Sequence, residues 1–288
     1  MSIRSIMKKS KLIVCIYENY KAIECYIKAR NNAIRLKKEL TEQDRKKIQR
    51  FKNIHKGKRC FIIGTGPSQN ARDLNRLKNE ITITVNDAYI SYDSTEWRAD
   101  YYVVMDDSSE YVLNNLFSLE YEHKGVFYNG RLHYRGENGV KLACDAAHTM
   151  LMHTVWNKWF PRIFPIMRFS DDVSKVIYTG KTVVFSCIQI AAYMGFEEIY
   201  LSGIDCDYHG MLYSSIMGGN DAENIVTTQV KDMRTHLEKS GGLMIEQFEA
   251  LNKLLQKNGI KVFNATRGGK LEVFPRVDLD SLLGKNAK

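Results

Sequence analysis

The segment Cys60-Phe61-Ile62-Ile63-Gly64-Thr65-Gly66-Pro67-Ser68 constrains this chain more than any other stretch. Its apolar start reads as a short buried strand. The run breaks at a Gly-x-Gly-Pro-Ser turn and passes into a polar, helix-like stretch, Gln69 to Leu77. Glycine removes the side chain where a backbone turns sharply or lets a ligand come close. Backbone N–H groups at the start of the following helix face outward, as a phosphate requires. Strand, glycine turn and helix in that order suggest a nucleotide at the carboxyl edge of a parallel sheet. Gln69 stands where the dinucleotide fingerprint has its third glycine, so NAD is not implied. A plain strand-to-helix turn is the alternative reading.

From residue 59 onward, strand-like and helix-like runs alternate. The strand candidates are Cys60–Ile63, Ile81–Val85, Tyr101–Met105, Gly125–Tyr128, Val173–Tyr178, Glu198–Ser202 and Ile260–Phe263. Helical patterns lie at Thr182–Met194 and Met244–Lys257, the second stopped by Asn258-Gly259. Such alternation predicts an α/β fold with a Rossmann-like, doubly wound, mostly parallel sheet. Residues 134–172 carry Trp156, Trp159, Phe160, Phe164 and Phe169 and read as a helical insertion over the sheet.

Charge divides the chain. Residues 1–59 hold 18 Lys/Arg against 5 Asp/Glu, so the rest is at −4 although the whole chain is at +9. A basic character confined to one end argues against a nucleic-acid groove across the body. Ile13, Ile16, Tyr20, Ile23, Ile27 and Ile34 recur there at helical spacing among the cations. Residues 1–58 are therefore expected to form a basic amphipathic helical arm ahead of a catalytic domain at 59–288. The arm either lies on an anionic membrane surface or packs on its own domain or a partner. Its apolar run, Leu12 to Tyr17, is too short to span a bilayer. The six cysteines show neither Cys-x-x-Cys pairing nor zinc spacing, and no secretory signal is evident. A cytoplasmic protein is expected, peripheral on the inner face of the cell membrane if the arm binds lipid.

In an open parallel sheet the carboxyl ends of the strands form the binding crevice. Polar residues cluster at five such ends: Gly64–Ser68, Asn86-Asp87, Asp106–Ser109, Gly203–Tyr208 and Asn264–Lys270. Asp205-Cys206-Asp207 has the Asp-x-Asp form that can hold Mg²⁺ or Mn²⁺ on a sugar nucleotide. Alternation along a strand would turn both carboxylates the same way; a solvated acidic loop is the bland alternative. Asp106 is a candidate base or hydroxyl contact, or else a helix cap. Arg267 offers a planar fork for phosphate, or else a solvated turn cation. His209 and His236 are candidate bases, while His148 and His153 lie among apolar residues and read as structural.

Phe61–Ser68, Leu77–Thr82, Trp97–Tyr102, Tyr193–Leu201 and Asn264–Phe274 together resemble the "domain of unknown function 115" family. That family includes Maf-type flagellin glycosyltransferases and MptE-like 6-hydroxymethylpterin diphosphokinases. Gly64–Ser68, Asn86 and Gly195–Asp205, with Gly210 and Tyr213, are also similar to bacterial sialyltransferases of glycosyltransferase family 42. The second resemblance implies a CMP-sugar donor. Gly64, Gly66 and Ser68 would line its phosphate, Asn86 would contact the donor, and Tyr213 would hydrogen-bond the departing phosphate. Tyr208 neighbours Asp207, which stands where a phosphate-binding Tyr is expected. Residues 206–242 would form a lid, hinged at Gly218-Gly219 and Gly241-Gly242. Thr65 replaces an Asn of those enzymes, and their catalytic His falls near Gly242, with His236 the nearer replacement.

The expected function is glycosyl transfer from a nucleotide-activated sugar, such as a CMP-linked nonulosonate, to a glycan, lipid-linked or protein hydroxyl in surface glycan or glycoprotein synthesis. Asp106, Tyr213 and His236 are the expected catalytic residues. Gly64–Ser68, Asn86, Asp205, Tyr208 and Arg267 are the expected donor-binding set, and Asp205 and Asp207 the metal pair. Two alternatives stand beside it. One is Mg²⁺-dependent diphosphoryl transfer from ATP to 6-hydroxymethylpterin; the other is a nucleotide-binding scaffold without catalysis.

Overall fold

A computed structural model describes residues 11–151, 163, 165–207, 214–217 and 233–284, with backbone alone at 11–12 and 233–242. The central sheet has seven strands: β1 (Arg59–Ile63), β2 (Thr82–Val85), β3 (Tyr101–Val104), β4 (Gly125–Asn129), β5 (Gly139–Leu142), β8 (Glu198–Ser202) and β9 (Lys261–Asn264). A separate two-stranded pair joins β6 (Cys144–Asp145) to β7 (Ile177–Tyr178). The large sheet runs β5-β4-β3-β2-β1-β8-β9, and every pairing in it is parallel. This is the α/β, Rossmann-like architecture that the alternating runs predict.

Strands in such a sheet are covered on both faces, and their side chains alternate between the two. In β1, Cys60 and Ile62 join the core on one face, while Phe61 and Ile63 join the core on the other. The first face carries α5 (Val184–Tyr193) and α6 (Met233–Lys257), through Phe185, Ile188, Phe248, Leu251 and Leu255. The second carries α3 (Ala71–Arg76), α4 (Glu110–Ser118) and α7 (Leu279–Leu282), through Leu74, Val112, Leu113, Leu116 and Leu279.

The basic segment forms α1 (Lys11–Glu39) and α2 (Glu42–Gln49), the latter opened by a capping box between Thr41 and Asp44. Its two ends differ. Ile13, Ile16, Tyr17, Tyr20 and Ile27 are exposed, whereas Leu36, Leu40, Ile48 and Phe51 are buried in the first-face core. Contact with the body begins at Tyr26, whose ring meets His148, and Arg30, which pairs with Asp145, and full burial begins at Ala33, well before residue 59. Among the described residues no helix is long and apolar enough to cross a membrane.

Two segment assignments change. Residues 134–172 were expected as a helical insertion, yet their described part supplies the edge strand β5, the short β6 and a 3₁₀ turn at Ala147–Leu151. Gly139-Val140-Lys141-Leu142 is short enough to escape a pattern search, and the open edge of β4 supplies its partner. Val173–Tyr178, expected as a main strand, yields only the two residues of β7, outside the large sheet. Trp156, Trp159, Phe160, Phe164 and His153 lie outside the described residues.

Candidate active site

Strand order reverses direction at β1, which has β2 on one side and β8 on the other. A crevice opens outside the carboxyl ends of the strands at such a switch point. Register makes the two central loops meet. Ile63 pairs with Ser202, so Gly64 and Gly203 leave the sheet at the same height. Gly64 N–H donates to the Ser202 carbonyl at 2.8 Å, and Gly66 N–H donates to the Gly203 carbonyl at 3.0 Å. Both bonds tie the two loops together, and the Gly66 amide, expected to meet a phosphate, is spent on one of them.

Gly66 is required by close approach. A Cβ there would lie 2.0 Å from Asp205 Oδ2 and 2.6 Å from the Gly203 carbonyl oxygen. Ser68 Oγ donates to the same Asp205 oxygen at 2.9 Å. The Gly64–Ser68 turn thus wraps a carboxylate of the chain itself. Burial pushes the Asp205 carboxyl above its ordinary range, nearby Asp207 pushes the same way, and the Ser68 hydroxyl and backbone oppose the rise. The loop after β9 closes this arrangement from the other side. Lys270 N–H donates to the Asp205 carbonyl at 2.7 Å, and Gly269, at φ +72°, would place a Cβ 2.5 Å from that oxygen.

Asp205 and Asp207 do not form the expected strand-like pair. Gly203 has φ +69° and Cys206 φ +49°, so the segment turns and the alternation that would align the carboxylates is lost. Asp207 Oδ1 meets Lys270 Nζ at 3.0 Å. No group of three or more His, Cys, Asp or Glu side chains converges on a metal position among the described residues. Asp205 and Ser68 do bring hard oxygens to one place.

Asn86 and Asp87 follow β2. Asn86 has φ +50°, and its carbonyl accepts from the buried Tyr102 hydroxyl at 2.7 Å. Asp87 is buried and accepts from the Tyr111 hydroxyl at 2.9 and 3.0 Å. The 214–217 segment docks on these loops. Ser214 N–H donates to the Thr65 carbonyl at 2.9 Å, and its hydroxyl to the Gln69 carbonyl at 2.7 Å. Met217 is buried among Tyr92, Leu74 and other residues of the second-face core. This part of the expected lid is packed against the glycine turn, a contact no local pattern announces.

Other expected residues have different surroundings. Asp106 accepts from Ser108 N–H at 3.0 Å and Ser108 Oγ at 2.9 Å, which makes it a helix cap. Arg267 bonds Asp73 at 2.5 and 2.9 Å and Asp280 at 2.9 Å, with Arg76 also on Asp280. Its fork, expected on phosphate, is a clamp between α3 and α7. Gly241 and Gly242, expected as a hinge, lie inside α6. The side chain of His236 falls outside what is described, as do Tyr208, His209, Tyr213 and Gly218-Gly219.

The site is thus a glycine turn after β1, a half-buried carboxylate after β8 and a buried carboxylate after β2, and among the described residues no cation is paired with Asp205 or Asp87. It can accept hydrogen bonds from hydroxyls or amines, and it can meet a phosphate through a cation.

A search of curated proteins finds no match. A solved structure of the MAf glycosyltransferase from Magnetospirillum magneticum AMB-1 is similar at 15% identity over 83% of this chain, with a TM-score of 0.47. The present chain spans 38% of that protein's length. The family model described as 6-hydroxymethylpterin diphosphokinase MptE-like matches residues 31–210. That span runs from the packed half of α1 through the loop carrying Asp205, and so includes every crevice loop but the one after β9. By that match, this chain belongs to the MptE-like family.

Proposed function

We propose that this chain is a transferase that binds a nucleotide-activated donor across the carboxyl edge of β2, β1 and β8, and that the group it transfers is glycosyl. One observation carries the reading: the glycine turn after β1 and the loop after β8 meet at the switch point, with Asp205 held at their junction. Ligands of open α/β sheets bind at that place. The similar Maf structure bears the name of a glycosyltransferase. The exposed Ile13, Ile16, Tyr17, Tyr20 and Ile27 of α1 favour glycosyl transfer further. An apolar, cation-flanked stripe suits an anionic membrane and a lipid-linked acceptor.

A second reading is diphosphoryl transfer from ATP to 6-hydroxymethylpterin, the activity in the family's name. The carboxylate inside the glycine turn favours it, because an anion there repels phosphate unless a cation intervenes. Asp205 and Ser68 would hold a Mg²⁺ whose other ligands are phosphate oxygens and water. The ion would supply charge neutralisation on the transferred phosphates.

Thermal-shift titration separates the readings. Stabilisation by CMP, CDP or UDP without metal supports glycosyl transfer; stabilisation by ATP only with Mg²⁺ supports the kinase. Silence from every nucleotide would remove both. Deleting residues 1–28, which spares the packed Leu36 and Leu40, should abolish sedimentation with anionic vesicles. Unchanged sedimentation refutes the membrane role.

A further inference from the structure

Three acids are buried among the described residues: Asp73, Asp87 and Asp145. Asp73 is paired with Arg267 and Asp145 with Arg30, each at 2.5 Å. Asp87 is 9% exposed, and no ion pair reaches it among the described residues. Among the described residues its hydrogen-bond partner is the Tyr111 hydroxyl, which bridges both carboxylate oxygens. Removing a carboxylate from water without a cation is costly, so this group has unmet demand for hydrogen-bond donors. A carboxylate has about four acceptor positions, and one hydroxyl hydrogen leaves most of them open.

The backbone holding Asp87 is fixed. Tyr102, fully buried on β3, donates to the Asn86 carbonyl at 2.7 Å and accepts from Tyr89 N–H at 2.9 Å. Asp87 is therefore presented by a pinned turn, two residues past Val85, the last residue of β2. The segment Asn86–Asp93 also packs against the Ser215–Met217 turn, and Ser214 is bonded to the glycine turn. Asp87 thus belongs to the same loop cluster as Gly66 and Asp205. In dinucleotide-binding doubly wound sheets an acid about 20 residues beyond the glycine turn accepts from a ribose hydroxyl, and Asp87 stands at the corresponding place, 21 residues after Gly66.

We propose that Asp87 is a ribose-reading residue of the nucleotide site, its carboxylate accepting hydrogen bonds from the 2′ and 3′ hydroxyls of the donor. This rests on the nucleotide-donor reading above and adds to it a discrimination for ribonucleotides over deoxyribonucleotides. Burial alone lifts the Asp87 carboxyl above its ordinary range, and Tyr111 offsets part of that rise. A bound diol would supply the missing donors and favour the ionised form. Tyr111, in the first turn of α4 and 38% exposed, holds the carboxylate in place and acts as a positioning residue.

The test is titration calorimetry on the full chain with CMP, CDP and ATP, each beside its 2′-deoxy counterpart, with and without Mg²⁺. Wild type should bind the ribonucleotide roughly tenfold to a hundredfold more tightly, the worth of one hydrogen bond to a charged group. Asp87→Asn should bring the two sugars to within about threefold while the variant keeps a cooperative unfolding transition. Tyr111→Phe should reduce the preference and leave binding measurable. Equal affinity of wild type for both sugars overturns the assignment of Asp87 and leaves the nucleotide site standing; this comparison needs no variant to fold. A full preference retained in Asp87→Asn overturns it as well. If no nucleotide binds at all, the donor reading fails and takes the ribose assignment with it.

Discussion

Asp205 and Arg267 lie on neighbouring loops of one sheet edge, after β8 and β9, and both are charged. Their partners separate them. Arg267 is matched by two carboxylates, with Asp73 buried beneath it and Asp280 beside it. Asp205 is met by the Ser68 hydroxyl and by backbone hydrogen bonds, and by no cation among the described residues, at the wall of a glycine turn. A charge matched inside the fold stabilises the fold, and removing either partner strands the other. A charge left without its counter-ion has spare capacity for a ligand. The difference fits Arg267 to architecture and supports the proposal that Asp205 belongs to the site.

The largest effect tests the first half of that contrast. Arg267→Ala leaves buried Asp73 with the Asn70 amide at 2.9 Å and, as the one remaining cation among the described residues, Arg76 at 3.9 Å. Breaking a buried pair costs roughly 3–5 kcal/mol, and partial exposure of Arg267 brings the expected loss to about 2–3 kcal/mol. Denaturant or thermal unfolding reads it, and nucleotide affinity should survive wherever the variant is folded. A stable Arg267→Ala protein that no longer binds nucleotide would reverse the contrast.

Next comes Gly66→Ala, whose methyl would displace Asp205. Overpacking of this kind costs about 1–3 kcal/mol, and nucleotide-dependent stabilisation should vanish with it. Binding that persists would mean that the junction with Asp205 is not the site.

Ser68→Ala removes the hydroxyl on Asp205 and should cost on the order of 1 kcal/mol. Binding should weaken and not disappear. A titration of the variant should show the Asp205 carboxyl shifted further upward, since a donor to its charged form is gone.

The smallest effect on stability, and the sharpest in sign, comes from pH. The folded pKa of Asp205 is raised above its ordinary 3.8. The folded state then binds its proton more readily than the unfolded chain, so this group disfavours folding at neutral pH and is relieved as pH falls. Asp205→Asn should therefore match or slightly exceed wild-type stability at pH 7. The difference should close as pH falls toward 3.8. Asp280 behaves oppositely. Arg267 first and Arg76 next hold its carboxyl below the ordinary range, so its contribution is present above 3.8 and is lost as pH falls through the folded value. A stability profile in which Asp205→Asn falls below wild type at pH 7 contradicts the assignment of an unmatched charge.

How much of this was legible follows from the range of each signal. The amphipathic pattern of α1 names its apolar residues, yet not which end is covered. Ile16 stays exposed and Leu36 is buried because only the second half meets the body. The glycine turn is legible because turn chemistry is local. Its occupant is not, since Asp205 arrives from 139 residues beyond Gly66 in the chain. Arg267 reads as a phosphate fork for the same reason: Asp73 lies 194 residues away. Asp87 shows the converse. It stands in plain sight after Val85, but that no cation among the described residues pairs with it becomes visible only when its neighbours are in place.

By itself the order of residues determined the alternation of strands and helices, the parallel sheet and the glycine turn at its carboxyl edge. Each of these depends on periodicity or backbone freedom within a few neighbours. The tertiary structure alone decided which charges are satisfied. Pairing depends on which distant side chains arrive first at a given carboxylate or guanidinium, and on how much water they exclude.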